Sequence, residues 1–152
     1  MTPKAPHPNL FRGSPFIIEQ FEPELVHESD VKKLVQVGIY DKAVVWASPF
    51  KNNALAFAAL TNNNLTWMLH TWDEHEPATG IEIITSGGLD KLDVEKIVYL
   101  YRLPHEDFIQ ISHREFVCPH GVTPIKREAW KTKDILKLFN IQETNLSYSY
   151  PK

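Results

Sequence analysis

The chain of 152 residues has one cysteine, Cys118. No internal disulfide can form, and a reducing, cytoplasmic setting is the expectation. No apolar run approaches the ~20 residues needed to cross a bilayer. Residues 1–8 contain no apolar stretch of the secretory-signal kind, so no membrane span and no signal-led export are expected, while export by a route without a cleaved signal stays open. Basic charge is not in excess: 16 Lys and Arg against 19 Asp and Glu give a net charge of -3. That disfavours a protein held to nucleic acid by bulk attraction, while a local basic groove stays open. Glycine is scarce, with 6 residues, and neither common Gly-rich phosphate loop occurs. There is no C-x-x-C pair, no H-x3-H pair, no internal repeat and no low-complexity tract.

What is present fits one globular domain. Hydrophobic residues make up 43% and charged residues 23%, enough apolar surface for a core at this length. Residues 1–8 hold three prolines and read as a flexible leader, 9–142 as the domain, and 143–152 as a tail without periodic signal. Leu10 and Phe11 open the fold and Gly13-Ser14-Pro15 turns it. Residues 16–27 read as extended. Ser29 to Val35 reads as a short helix with Ser29 as N-cap and Gly38 as stop.

Ala43–Ala47 is a compact run of β-formers and predicts a buried strand. Ser48 and Pro49 then predict a helix start, with Ser48 as cap and Pro49 at the first helical position. Phe50, Ala54, Phe57 and Ala58 give that helix an apolar face. Strands are expected at 65–72, 80–85, 96–103, 108–111, 115–117 and 122–125, with a break at Ser86-Gly87-Gly88. A last short helix is expected over 132–139, capped by Thr132. Strands clustered after helices define an α+β class.

Three residues stand at expected strand ends. The Arg12 guanidinium can take phosphate oxygens bidentately; the plain alternative is a solvated surface arginine. The Ser48 hydroxyl can orient a ligand at a strand-to-helix junction, or simply cap the helix. Glu115 can hydrogen-bond a ribose and favour an oxocarbenium-like centre, or face solvent from an alternating strand. His113, Cys118 and His120 offer three metal ligands where structural zinc needs four, so no metal is expected. Cys118 as a nucleophile lacks any local signature.

The segments Leu10-Phe11-Arg12-Gly13-Ser14, Val45-Trp46-Ala47-Ser48-Pro49 with Ala54-Leu55-Ala56-Phe57-Ala58, Tyr99-Leu100-Tyr101 and Arg114-Glu115-Phe116 together resemble the ADP-ribosyltransferase-like superfamily. The resemblance implies a split antiparallel β-sheet with a few short helices and NAD, as substrate, in the cleft between the halves. It implies Arg12 and Gly13 at the cofactor, Ser48 steadying the site, Glu115 as the catalytic carboxylate, and Tyr99 or Phe57 packing the nicotinamide. The activity implied is cleavage of the nicotinamide–ribose bond, by a transferase or glycohydrolase. Ala47 replaces the middle Thr of the family's Ser-Thr-Ser element. His113 replaces the Glu or Gln of arginine- and asparagine-directed members, which leaves the acceptor open. Two alternatives are an inactive nucleotide-binding or protein-interaction module on the same fold, and RNA 2′-phosphotransferase-like processing. The latter needs a basic cleft, for which Lys51, Arg114, Lys126 and Arg127 are the candidates.

Overall fold

The computed structural model describes residues 9–61, 63, 65–71, 73, 75–84, 90 and 92–144. The expected leader 1–8, the Ser86-Gly87-Gly88 break, Trp72 as a strand end and residues 145–152 of the tail lie outside the described residues. The elements run β1 (Leu10–Ser14), β2 (Glu24–Leu25), α1 (Glu28–Gln36), β3 (Ala43–Ala47), α2 (Lys51–Leu60), β4 (Trp67–His70), β5 (Gly80–Ile83), β6 (Ile97–Leu103), β7 (Ile109–Ser112), β8 (Glu115–Cys118), β9 (Lys126–Lys131), α3 (Thr132–Leu136) and β10 (Asn140–Glu143).

This is a mixed α+β chain. The strands form three sheets, ordered β1-β6-β9, β2-β3-β8-β7 and β10-β5-β4. Every pairing is antiparallel except β10 with β5. An isolated bridge of Phe11 with Ser48 joins β1 to the end of β3, and a second, Phe21 with Val122, links the segment after β1 to the segment after β8.

Alternation of side chains along each strand sets the layers. On β1 and β6, Leu10, Tyr101 and Leu103 share one face. They pack against Val45, Ala47, Phe116 and Cys118 of the second sheet, with Phe21 and Val122 between. On the opposite face of β6, Val98 and Leu100 meet α2, α3 and the third sheet through Leu55, Ile81, Ile83 and Ile135. The outer face of the second sheet carries Val44 and Val117 and takes Leu34 of α1. Two sheets therefore enclose a middle core, and each outer face is covered by helix.

Several boundaries differ from the sequence reading. β1 runs through Gly13 to Ser14, so the turn begins only after Ser14. Gly13 lies inside the strand because α2 crosses it closely. Helix α1 begins at Glu28 with His27 at the cap position, not Ser29. Lys131, not Thr132, precedes α3; the Thr132 hydroxyl instead donates to the carbonyl of Lys96 at 2.9 Å. Val122 makes a single bridge rather than a strand. The strand lies just beyond it, as β9, and the region read as the start of a tail contributes Glu143 to β10.

Candidate functional site

The three motif segments meet at one corner. Phe11 and Ser48 exchange two backbone hydrogen bonds, each 2.8 Å. Across β3, the register with β8 pairs Ala47 with Phe116, so Ser48 and Glu115 lie one step beyond that pair. The backbones of Phe11, Ser48 and Glu115 thus lie on neighbouring strands, about 10 Å across at two strand spacings.

Arg12 fills a gap in that corner. Backbone groups two residues apart on a strand face the same edge. On β3, that edge is occupied at Val44 by Glu24 of β2 and at Ser48 by Phe11. Between them, among the described residues, no strand lies beside the Trp46 carbonyl. The Arg12 guanidinium takes this place, donating from Nη1 to the Trp46 carbonyl oxygen at 3.1 Å. Its Nη2 stands 3.6 Å from Glu24 Oε1, and its guanidinium carbon 5.1 Å from the Phe21 ring centre. Only 22% of the Arg12 side chain is exposed, against 70% of Glu24. Burial lowers the Arg12 pKa from its ordinary value, and Glu24 offsets part of that.

The Ser48 hydroxyl accepts the Phe50 N–H at 3.0 Å, and α2 begins at Lys51 with Phe50 at the cap position. Ser48 is therefore not the helix cap that the sequence suggests, and Pro49 precedes the helix instead of opening it. The hydroxyl closes a short turn ahead of the helix. Ser48→Ala is expected to lower stability by about 1 kcal/mol, the net contribution of such a bond, read from the urea midpoint at unchanged slope.

Glu115 points elsewhere. On β8 it shares a face with Val117, the face covered by α1, while Phe116 and Cys118 turn into the core between the sheets. Its Oε1 accepts the Ser112 hydroxyl at 3.0 Å and stands 3.6 Å from Lys33 Nζ. Arg12 lies on the β1 face that carries Leu10, toward that middle core. The chain brings the three backbones together, but the Arg12 side chain ends at the open edge of β3 beside Glu24, and the Glu115 side chain lies on the α1-covered face of β8.

The remaining candidates divide similarly. Tyr99 pairs with Ser14 in register and so shares the Arg12 face of the first sheet; Arg127 lies 5.6 Å over its ring. Gly13 gives up the space of its side chain to α2: a Cβ there would collide with the Ala54 carbonyl oxygen. Phe57 belongs to the same helix and packs edge-on against Trp67 at 5.0 Å. The first sheet therefore separates it from Arg12.

His113, Cys118 and His120 do not gather. Cys118 is fully buried, which pushes its thiol up from the ordinary value and removes it as a nucleophile. The His113 ring meets His75, while His120 Nε2 stands 3.2 Å from Asp107. Among the described residues no three His, Cys, Asp or Glu side chains stand close enough to hold a metal. Nor do the basic candidates form one groove. Lys51 and Lys126 both approach Glu128, whereas Arg127 lies over Tyr99 and Arg114 reaches the Asp73 carbonyl at 3.5 Å. Two cavities, about 190 Å³ beside Asp107 and His120 and about 330 Å³ beside His70 and Gly80, are lined by none of Arg12, Ser48 or Glu115.

Sequence reasoning missed Phe21, Glu24 and Lys33, the residues that occupy Arg12 and Glu115. All three lie in the connection between β1 and β3, where no local pattern marks which opposite charge a residue will meet. No helix among the described residues is long and apolar enough to cross a membrane. No family model, no curated protein and no solved structure matches this chain.

Proposed function

We propose that the chain binds a nucleotide through its phosphates at Arg12, with NAD the ligand to which its resemblance to ADP-ribosyltransferase-like proteins points. One observation carries this reading. A largely buried guanidinium has five N–H donors, yet among the described residues its polar partners are one carbonyl at 3.1 Å and one exposed carboxylate at 3.6 Å. Burial costs the cation more than Glu24 returns. A phosphate, with charge and paired oxygens, matches the guanidinium fork better than either partner. Tyr99, on the same face, offers a ring for stacking, and the Ser48 turn fixes the strand end beside the site. In this reading the chain is a nucleotide-binding module. Calorimetry with NAD tests it; absence of binding at millimolar NAD would end the assignment.

The backbone adjacency of Ser48 and Glu115 favours a second reading, in which the bound nucleotide loses nicotinamide. Glu115 would then have to leave both Lys33 and the Ser112 hydroxyl and swing from the α1-covered face of β8 toward Arg12. There it would stabilise the positive charge developing on the ribose, an interaction of the transition state more than the ground state. Glu115→Gln keeps shape and removes charge. In the enzymatic reading it slows nicotinamide release about a hundredfold or more, on the order of 3 kcal/mol, with NAD affinity little changed. Chromatography of NAD incubated with wild type and variant decides between the two. Wild type that binds NAD and releases no nicotinamide leaves the binding module standing. The acceptor of any ADP-ribosyl group would be identified only after that release is seen.

A further inference from the structure

Glu24 and Lys33, the charges that occupy Arg12 and Glu115, both come from the single connection between β1 and β3. That connection is firmly attached elsewhere. Tyr101, fully buried, accepts the Ile18 N–H at 2.6 Å and donates to the Phe16 carbonyl at 2.7 Å. Phe21 exchanges backbone bonds with Val122 at 2.8 and 2.9 Å and meets the Tyr101 ring edge-on at 5.0 Å. Farther along, Leu34 of α1 is fully buried, packed with Val44 and Val117.

The two charged tips are not held in this way. Glu24 lies in a two-residue edge strand with 70% of its side chain exposed, and half of Lys33 is exposed. Lys33 also divides its charge between Glu115 and Asp30, the latter at 3.8 Å. Both contacts to the motif residues are 3.6 Å, longer than a charge-assisted hydrogen bond. A rigid backbone thus carries two loosely held counter-charges to the two motif residues. A side-chain rotation removes either one while the connection stays in place.

We propose that the connection between β1 and β3 is an internal lock, in which Glu24 stands in for a ligand's phosphate at Arg12 and Lys33 stands in for a cationic centre at Glu115. The inference rests on the nucleotide reading for its ligand and on the geometry alone for its mechanism. Glu24 competes with any anion that binds Arg12, so ligand affinity is set below what Arg12 alone would give. Removing the competing charge tightens anion binding by the strength of the displaced pair. A partly exposed ion pair contributes at most about 1 kcal/mol, which limits the gain to about fivefold. Lys33 acts separately: its removal leaves Glu115 bonded to the Ser112 hydroxyl and leaves anion binding at Arg12 almost unchanged.

The test uses the full chain and two probes, inorganic pyrophosphate and NAD, titrated by calorimetry into wild type, Glu24→Gln, Lys33→Gln and Arg12→Lys at fixed ionic strength. Both lock residues are exposed enough for the variants to fold, which matching thermal midpoints would verify. The expected result is pyrophosphate binding strengthened two- to fivefold by Glu24→Gln, weakened by Arg12→Lys and unchanged by Lys33→Gln. Pyrophosphate binding that responds in this way without any NAD binding keeps the lock and removes the nucleotide assignment. Binding of either probe that is weakened by Arg12→Lys but indifferent to Glu24→Gln overturns the lock and leaves the Arg12 site. Absence of binding of both probes to every variant overturns the lock as well.

Discussion

Gly13→Ala should be among the most damaging single substitutions in this chain, lowering stability by about 3 kcal/mol, the upper end for overpacking in a tight interior. The added Cβ would collide with the Ala54 carbonyl oxygen and stand 2.8 Å from the Ala58 Cβ. The first of these is helix backbone, which no change of rotamer can move. Either β1 and α2 separate, weakening the Phe11–Ser48 bridge, or the helix bends. At this chain length the loss corresponds to about 10 °C in melting temperature. Urea unfolding of the two proteins checks it, and a change under 0.5 kcal/mol would mean that β1 and α2 are not in contact here. The result also bears on the motif itself: a glycine after Arg12 is required here by helix packing, whether or not a cofactor approaches.

Arg12→Ala should have the largest effect on binding. Removing a charged, bidentate donor from a desolvated site costs about 1.5–3 kcal/mol of interaction, so NAD or pyrophosphate affinity should fall roughly 10- to 100-fold. The same change leaves the Trp46 carbonyl without its donor and should cost about 1 kcal/mol of stability. Calorimetry and urea unfolding on one preparation separate the two effects. Arg12→Lys is the informative companion. It retains the charge and loses the fork, so it should bind between wild type and alanine. Equal affinity in wild type and Arg12→Ala would remove Arg12 from the site.

The elements written most plainly in the sequence are those with strong local pattern. Ala43–Ala47 reads as a strand because it is short, apolar and β-branched, and it is β3 without change of boundary. The Tyr99 and Tyr101 alternation likewise marks β6. β9, Lys-Arg-Glu-Ala-Trp-Lys, escapes that reading because it is an edge strand with charges at most positions. Its strand form is imposed by pairing with β6, a long-range constraint. Ser48 misleads for a different reason. Serine before proline and an apolar helix is the pattern of an N-cap, yet an added turn through Phe50 uses the hydroxyl first. The candidate site shows the same limit. The residue types of Arg12, Ser48 and Glu115 are legible, and so are the strand-end positions of Ser48 and Glu115, whereas Arg12 lies in the middle of β1 and not at its end. The direction of each side chain depends on the register of β1, β3 and β8 and on α1 lying over the second sheet, and register belongs to tertiary packing.

The pairing of β1 with β6 also fixes when this protein can fold. Leu10 finds its register partner at Leu103 and Val45 finds Cys118, so two sheets close through contacts far apart in the chain. At ordinary translation speeds, the interval between the appearance of Leu10 and that of Leu103 is on the order of 5–20 s. During that time Leu10 and Phe11 have no strand from the first sheet to shield them, while short hairpins such as β4 with β5 are free to form. Non-local topology of this kind places folding in the slower, millisecond-to-second range. The N-terminal strand therefore emerges early and is secured late, and a nascent chain halted before β6 would present its apolar edge to chaperones or to other chains.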